Sequence, residues 1–259
     1  MPARSIANAT IAFGLVSVPV NLYATAESSA GVSFNMLHKK CGSRLKQQYV
    51  CTKDGETVTR DDTVKGYEFA KGQYVVLTPE EIKALEEKAT GAIDIAEFVP
   101  LAKVDRTYVE KAYYLGPDKG GDRAYRLLAK ALDDTGLAAL GQYAARGRQY
   151  LVLLRPASDG VLVMEQLHYA DEVRPTTEVT LPTGDVKPQE LTMAKQLIAQ
   201  TATDDFRPEK YRDTVRERVL EAIQKKVDGQ EITADAPADT GARIIDLMEA
   251  LKASLAKAS

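Results

Sequence analysis

Two short motifs in the first quarter of the chain carry side chains that commonly bind a transition metal. His38 and Cys41 are separated by two residues, and after nine more residues Cys51 and Asp54 repeat that spacing. A zinc ribbon uses four ligands in two such pairs, but structural zinc sites strongly prefer Cys and His to Asp. The alternatives are a disulfide, which a reducing compartment disfavours, and two thiols with no shared role. We therefore expect no tightly held metal and no other cofactor.

Side chains suited to catalysis are few. The chain contains only two histidines, His38 and His168, and has no nucleophile-elbow, Walker or dinucleotide-binding glycine pattern. The adjacent aspartates at 133–134 and 204–205 are more typical of helix caps and surface charge than of acid–base pairs. We therefore do not expect an enzyme.

Basic side chains are concentrated in two parts of a chain whose net charge is −3. Residues 1–60 contain seven Lys or Arg against three Asp or Glu, and residues 111–130 contain five against two. Such clustering allows a basic face on an acidic protein, although solvated surface charge explains it equally well. Since Lys and Arg reach phosphate oxygens without reading base edges, a nucleic acid would be bound through its backbone.

The elements that must position these side chains are mainly strands in the first two-thirds of the chain. Apolar residues alternate over 9–22, and a change of parity after Gly14 predicts one long strand with a bulge or bend. Further strands rich in Val, Ile, Tyr and Leu are predicted at 73–77, 93–99, 107–115, 149–154 and 161–169. Many strands with few crossover helices predict a mainly β fold with α, built on a largely antiparallel barrel with inserted helices.

Helical patterns interrupt the strands and dominate the end of the chain. A capping box at 78–81 predicts a helix to about residue 88, and Asp122 is the expected cap of the next helix. From residue 187 the pattern becomes helical, and a second helix of this region is expected to start near Pro208 and to stop at Gly229. The predicted parts are a barrel core at 1–186, a helical arm at 187–230 and a linker with a tail helix at 231–259.

The tail helix has one apolar face. It follows a linker of small and acidic residues at 233–240. Its apolar residues are Ile244, Met248, Leu251 and Leu255. A lone amphipathic helix beyond a linker is either a docking peptide for a partner or a helix folded back on its own domain.

Several short segments, taken in chain order, resemble bacterial Ku, the homodimeric DNA-end-binding protein of non-homologous end joining. The resemblance begins with IAFGLVSVPVNLY at 11–23 and LHKKCGSR at 37–44. It continues at 64–69, 97–100, 113–119, 169–174 and 190–194, and then with Phe206, Pro208, Tyr211 and Asp213. Each motif is short, but together and in this order they are highly specific and span residues 4–257.

The resemblance implies a function that the residues alone do not give. Ku subunits pair through a barrel core, so that long inserted strands form a preformed ring through which a linear DNA end threads. Closed circular DNA cannot enter such a ring, and the contacts fall on the sugar-phosphate backbone. The family also recruits the bacterial polymerase-ligase of end joining (ligase D), uses no ATP and makes no bond itself. For this chain, the resemblance implies that residues 187–229 embrace the second subunit and that the tail helix recruits the ligase.

Carried over to this chain, the resemblance assigns DNA contacts to two basic elements. These are Arg146 and Arg148, which match a position lining the ring channel, and the basic hairpin after the first strands. The hairpin residues are Lys39, Lys40, Arg44 and Lys46. The i, i+3, i+7 spacing on the helix after Asp122 adds a third group of candidates. These are Arg123, Arg126 and Lys130.

The chain departs from the family pattern in two places. Many relatives carry a Cys or His where Asp54 stands, which weakens a zinc site. Others end in a lysine-rich extension that binds DNA, whereas this chain has only Lys252 and Lys257 near its end. End binding is expected to survive that loss, but bridging of ends and inward movement on DNA are left open.

Location and two rival functions complete the expectations. No apolar run approaches the ~18 residues that cross a bilayer, so we expect a cytoplasmic, nucleoid-associated protein without membrane contact. One rival function is a lyase that acts at damaged DNA ends through a lysine Schiff base. The other is a protein scaffold that never engages DNA, and the two basic regions argue against it.

Overall fold

The structure is a computed structural model that describes residues 3–26, 31–86 and 90–229, together with residues 248, 250, 251 and 254. The chain divides into two compact units. The first comprises Met1–Ser28 and Asn35–Pro175, and the second comprises Ser29–Phe34 and Thr176–Ser259. The three-part division of the sequence at residues 186 and 230 stays a prediction.

The first unit is built mainly from strands. Its strands are β1 (Ala7–Phe13), β2 (Val16–Ala24), β3 (Tyr49–Val50), β4 (Thr57–Val58), β5 (Lys65–Ala70), β6 (Gln73–Leu77), β7 (Ala92–Pro100), β8 (Val109–Pro117), β9 (Leu137–Ala145), β10 (Arg148–Pro156) and β11 (Leu162–Leu167). Its helices are α1 (Pro79–Leu85) and α2 (Asp122–Thr135), and the second unit contains α3 (Pro188–Thr201) and α4 (Thr214–Val227).

Seven strands close a barrel in the order β1-β2-β8-β11-β10-β9-β7. All neighbouring pairs are antiparallel except β1 and β7, which run parallel. Closure of the sheet leaves none of these seven strands with a free edge. The predicted largely antiparallel barrel with inserted helices is therefore confirmed.

The segment 9–22 forms a hairpin, so the prediction of one long bent strand was wrong. Strands β1 and β2 pair antiparallel and end with Phe13 opposite Val16. The two residues between them, Gly14 and Leu15, form the turn, and Gly14 has φ 56°. Two-residue hairpin turns require such a positive φ, which glycine adopts without a steric penalty. The change of parity at Gly14 marks a reversal of the chain.

Alternate residues of the strands fill the barrel interior. Ile11, Val20, Ile93 and Leu154 are completely buried and belong to one continuous apolar cluster. Burial of one large aliphatic side chain contributes roughly 1.5–3 kcal/mol relative to its exposure to water. The barrel core is thus the principal source of stability in the first unit.

Helix α2 packs one face on this core. Its buried residues are Tyr125, Leu128, Ala129 and Leu132. The Tyr125 hydroxyl donates a hydrogen bond to the carbonyl of Leu115 and accepts one from the amide of Leu162 at 2.8 Å, so it ties the helix to β8 and β11. The residue at the N-cap position is Gly121, and the predicted cap Asp122 is instead the first helical residue. There its carboxylate still interacts favourably with the helix dipole.

A buried carboxylate lies on the outer side of the barrel. Glu165 on β11 is only 3% exposed. Its two oxygens accept hydrogen bonds from Arg155 at 2.6 Å and from Arg106 at 2.7 Å. A buried charge is tolerated only when it is paired in this way. The network fastens the loop that precedes β8 to the barrel wall.

Between β2 and β7 the chain leaves the barrel as an inserted segment, residues 35–86. It contains the hairpins β3–β4 and β5–β6 and helix α1, and none of its residues is buried. The predicted capping box of α1 is confirmed, because the Thr78 amide donates to the Glu81 carboxylate and the Glu81 amide donates to the Thr78 hydroxyl. The helix ends at Leu85, earlier than predicted.

The second unit is helical from residue 188, as the sequence predicts. Helix α4 starts at Thr214, where the Asp213 side chain caps the amide of Arg216 at 2.9 Å. The predicted start near Pro208 was wrong, because Pro208–Lys210 forms only a single 3-10 turn. Within the described residues, every helix is too short or too polar to span a bilayer.

Candidate nucleic-acid interface

The inserted segment begins with a basic stretch. Residues 38–53 contain five Lys or Arg and no Asp or Glu. A tight turn holds its first part, since the amides of Gly42 and His38 donate to the carbonyls of His38 and Ser43, each at 2.8 Å. The turn exposes the side chains of Lys39 and Lys40, and neither pairs with a carboxylate in the part of the chain that the structure describes. Both ammonium groups are therefore available to an anionic ligand.

The remaining cations of this stretch follow the turn. Arg44 forms an isolated β-bridge with Leu37, and its guanidinium donates to the side-chain oxygen of Asn35. Lys46 is exposed and, within the described chain, has no carboxylate partner. The four predicted contacts of the basic hairpin thus lie within eight residues on a segment without buried side chains.

The four metal-ligand candidates form two separate pairs. The Cys41 sulfur lies 3.0 Å from His38 Nδ1. Two hydrogen bonds lower the pKa of the Cys41 thiol to about 7. The larger effect comes from the Ser43 side chain and the smaller one from His38. Among the described residues, no group of three or more His, Cys, Asp or Glu side chains is arranged to hold a metal ion.

The second pair is organised by a turn of its own. The Asp54 carboxylate accepts a hydrogen bond from the amide of Glu56 at 3.0 Å. This bond and a second one from the Cys51 thiol lower the pKa of the Asp54 carboxyl. Since Asp54 already serves the turn and the pairs are apart, these residues do not fit a closed tetrahedral zinc site.

The second basic element is the turn between β9 and β10. Ala145 pairs with Arg148, so Arg146 and Gly147 are the two central residues. Both have positive φ, at 52° and 75°. A hairpin turn of this kind suits Asn-Gly, whereas an arginine in the left-handed region is uncommon and strained. Arg146 and Arg148 are both exposed at this turn.

A neighbouring side chain explains why residue 147 is glycine. A Cβ atom at this position would lie 2.6 Å from the side chain of Glu86. The carboxylate of Glu86, which follows α1, therefore rests on the backbone of the arginine turn. Glycine at this position permits that close approach, and the approaching group is part of the chain itself.

Sequence reasoning missed the tyrosines beside this turn. A cavity of about 80 Å³ is lined by Tyr113, Tyr143, Tyr150 and Arg146, among others. Tyr143 and Tyr150 face each other across the hairpin, with ring centroids 6.5 Å apart. Burial raises the pKa of Tyr143, and the charge of Arg146 partly opposes that rise. The signal was available in the sequence. With a two-residue turn at 146–147, residues 145 and 148 are paired, and two residues farther along each strand Tyr143 is paired with Tyr150.

The third group of predicted contacts lies on α2. Lys130 pairs with Asp134 at 2.6 Å, and this carboxylate raises the pKa of the Lys130 ammonium. Arg126 donates from Nε to the carbonyl of Asp122 at 3.3 Å. Arg123 has no ion pair among the described residues. The three cations share one helix, and among the described residues Arg123 and Arg126 have no carboxylate partner.

Comparison with known proteins decides the family. A family model described as "Ku: Ku70/Ku80 beta-barrel domain" matches residues 12–194. The chain belongs to the Ku family. A curated Ku relative from Paraburkholderia phymatum, named "Non-homologous end joining protein Ku", is 45% identical, with 98% of this chain and 83% of the relative covered.

Ku relatives from other lineages are similar over nearly the whole chain. A protein of the same name from Archaeoglobus fulgidus is 38% identical, with 97% of this chain and 98% of the relative covered. One from Bacillus subtilis is 39% identical, with 95% and 79% covered. All nine predicted DNA contacts lie inside the matched Ku barrel domain.

The predicted partner-binding face lies beyond that Ku domain. Met248 and Leu251 are helical and half-buried. Ile244 and Leu255 lie outside the described residues. The assignment of this face to a partner stays a prediction.

Proposed function

We propose that this chain binds the ends of linear double-stranded DNA, without sequence preference, in non-homologous end joining. The observation that carries the proposal is the inserted segment, which projects basic side chains from a Ku barrel without burying any residue of its own. An unburied segment of this kind gains its order from a ligand or a second chain. The relatives named for non-homologous end joining support DNA as that ligand.

The ring is the proposed basis of end selectivity. Two copies pair as a homodimer, and their inserted segments close around the duplex. The exposed apolar residues of the segment support this pairing, because water is a poor environment for them. They include Tyr49, Tyr67, Phe69, Tyr74 and Val76. A closed ring admits DNA only at an end, so selectivity is topological.

The arginine turn is the proposed centre of the phosphate contacts. Arg146 stays at a strained backbone position where asparagine would be more stable, and strain of this kind is typical of functional sites. Arg146 and Arg148 would each neutralise a phosphate, aided by the basic hairpin. Each neutralised phosphate adds about 0.9 to the slope of log affinity against log salt.

The first test of the phosphate contacts is a decrease in the slope of log affinity against log salt concentration. We expect Arg146→Ala combined with Arg148→Ala to reduce the salt slope by about 1.8, two contacts at 0.9 each. Binding to a 40-base-pair duplex at several salt concentrations measures the slope. Lys103→Ala with Arg174→Ala is a matched control that removes two exposed charges elsewhere. An unchanged affinity and slope in the double arginine variant would remove the turn from the site.

Threading has its own test. Protein is bound to a linear duplex with biotin at both ends, and streptavidin is then added to block those ends. A threaded ring stays on the duplex through a challenge with high salt, whereas an open basic surface dissociates. Addition of streptavidin before the protein should prevent binding.

The proposed partner is the polymerase-ligase of end joining, ligase D. The apolar face of the tail helix, which includes Met248 and Leu251, is the proposed docking segment. We expect Leu251→Glu to abolish stimulation of the ligase while DNA-end binding stays intact. Lys252→Glu, a neighbouring charge change off the apolar face, is the control. Full stimulation by Leu251→Glu would return the helix to a purely structural role.

A further inference from the structure

An apolar groove of about 420 Å³ lies between α2 and the β1–β2 hairpin. Its lining includes Phe13, Val16, Phe98, Leu127 and Leu132, and Thr135 is the polar member of the set. Phe13 and Phe98 form one wall, with their rings perpendicular and 6.2 Å apart. None of the proposed DNA contacts lines this groove. Its chemistry is that of a protein interface, because anions are not attracted to aliphatic and aromatic walls.

A protruding apolar side chain stands next to the groove. Leu15, at the tip of the β1–β2 turn, is fully exposed, and Leu127 on α2 is 71% exposed. Contiguous exposed apolar surface of this kind marks an interaction site. A projection and a recess on the same face are self-complementary, since a twofold axis places each Leu15 over the recess of the other copy.

The charges of α2 run against its own dipole. Arg123 lies in the first turn, whereas Asp133 and Asp134 lie in the last turn, which contains no basic residue. Cations are unfavourable at a helix N-terminus and anions at a C-terminus, and only Asp122 follows the favourable rule. Lys130 pairs with Asp134 within the helix, but Arg123 and Asp133 have no ion pair among the described residues. The unpaired part of this arrangement weakens the isolated helix, so it needs an explanation outside the helix.

An antiparallel partner helix supplies that explanation. Arg123, Leu127 and Asp134 follow one side of α2 at helical spacing, next to the groove. When two copies of α2 run antiparallel, Arg123 of each copy meets Asp134 of the other. A parallel pair would place like charges together. The charge order of α2 is therefore complementary to itself in one orientation only.

We infer that this face is a twofold interface between two copies of the chain, with antiparallel α2 helices and each Leu15 seated in the other copy's groove. A helical peptide from another protein would fill the groove but would leave Leu15 and the reversed charges of α2 unused. The interface is separate from the inserted segment that closes the proposed ring. It would join one ring to the next.

The contact is small, and its strength depends on context. One helix and one hairpin tip bury less than the roughly 800 Å² per partner of a standard stable interface. The association is therefore weak in free solution. It strengthens when copies are held on one DNA molecule, because the local concentration then reaches about the millimolar range.

The test uses the full chain without DNA, so its outcome does not depend on the proposed function. Sedimentation velocity is measured over a concentration series. The species present at low concentration should double in mass at high concentration. Leu15→Asp and Leu127→Asp should each abolish the doubling, and an unchanged circular dichroism spectrum shows that the variants fold. Arg126→Asp reverses a charge on another side of the same helix and should leave the doubling intact.

A charge exchange makes the test specific for the antiparallel arrangement. Arg123→Asp and Asp134→Arg should each weaken the doubling about tenfold, because each change enters a twofold interface twice and an exposed pair contributes about two- to fivefold. The double variant, Arg123→Asp with Asp134→Arg, should restore it. Absence of doubling in the wild type would overturn the inference. So would doubling that persists in Leu15→Asp, or a double variant no better than the single ones.

Discussion

The barrel and the inserted segment use similar residue types but bury them to opposite extents. In the barrel, Ile11 and Leu154 are completely removed from water. In the segment at 35–86, no residue is buried, and Tyr67 and Phe69 are 68% and 57% exposed. The barrel therefore carries its own stability, whereas the segment is held by local hydrogen bonds.

This difference separates folding from function within one unit. An isolated two-stranded hairpin is marginally stable in water, because it lacks a second layer to cover its apolar side chains. The hairpins β3–β4 and β5–β6 are of this kind, and each forms its own sheet. We infer that a second copy of the chain and DNA supply the layer that covers these hairpins. The barrel needs no such layer, because it covers its own apolar side chains.

The largest effect should come from a cavity in the barrel. We expect Leu154→Ala to lower the free energy of unfolding by about 2–5 kcal/mol, because the surrounding core cannot collapse into the space. Val75→Ala in the inserted segment should cost less than about 0.5 kcal/mol in dilute protein. Chemical denaturation of both variants measures the contrast. Equal costs would mean that the segment has a core of its own.

A smaller effect should appear at the arginine turn, where stability and binding oppose each other. Asn-Gly is the preferred sequence for a turn with two positive φ values, so Arg146→Asn should stabilise the chain by about 0.5–1 kcal/mol. The same variant should bind DNA more weakly, since it loses a phosphate contact. Thermal unfolding and duplex binding give the two readouts. A variant that is less stable, or that binds DNA as well as the wild type, would contradict a functional origin of the strain.

The smallest effect concerns a thiol and leaves the fold unchanged. Because the pKa of Cys41 is lowered to about 7, its thiolate fraction should rise through one half near pH 7. Alkylation of Cys41 by iodoacetamide should therefore accelerate from pH 6 to 8 and level off above, as mass spectrometry of the labelled peptide can follow. Ser43→Ala removes the largest cause of the shift and should move the midpoint to higher pH. A midpoint near 8.5 in the wild type, the ordinary cysteine value, would show that the turn is not ordered.

Local chemistry explains which parts of the fold the sequence predicts. The capping box of α1 involves four neighbouring residues, so its pattern is readable without tertiary information. Strand β9 was missed because residues 137–145 are mostly small, with no β-branched side chain and a single aromatic one, Tyr143. The start of α4 was misplaced because Pro208 is compatible with both a 3-10 turn and a first helical turn.

In the candidate site too, the sequence reveals local features but not contacts between distant parts of the chain. The basic residues are visible in the sequence, but their partners are visible only where they are close along the chain. Pairing of Lys130 with Asp134 follows from helix spacing. The contact of Glu86 with the arginine turn joins positions 61 residues apart along the chain, so only the fold reveals it. Arg106 and Glu165 are likewise 59 residues apart.

The most direct test of the central claim compares one plasmid in two forms, linear and covalently closed, at the same salt concentration. The account predicts retention of the protein on the linear form and little on the circle, since a closed ring admits DNA only at an end. Equal binding to both forms would contradict the ring and leave an ordinary basic surface. Binding to neither form would contradict the DNA-binding role itself.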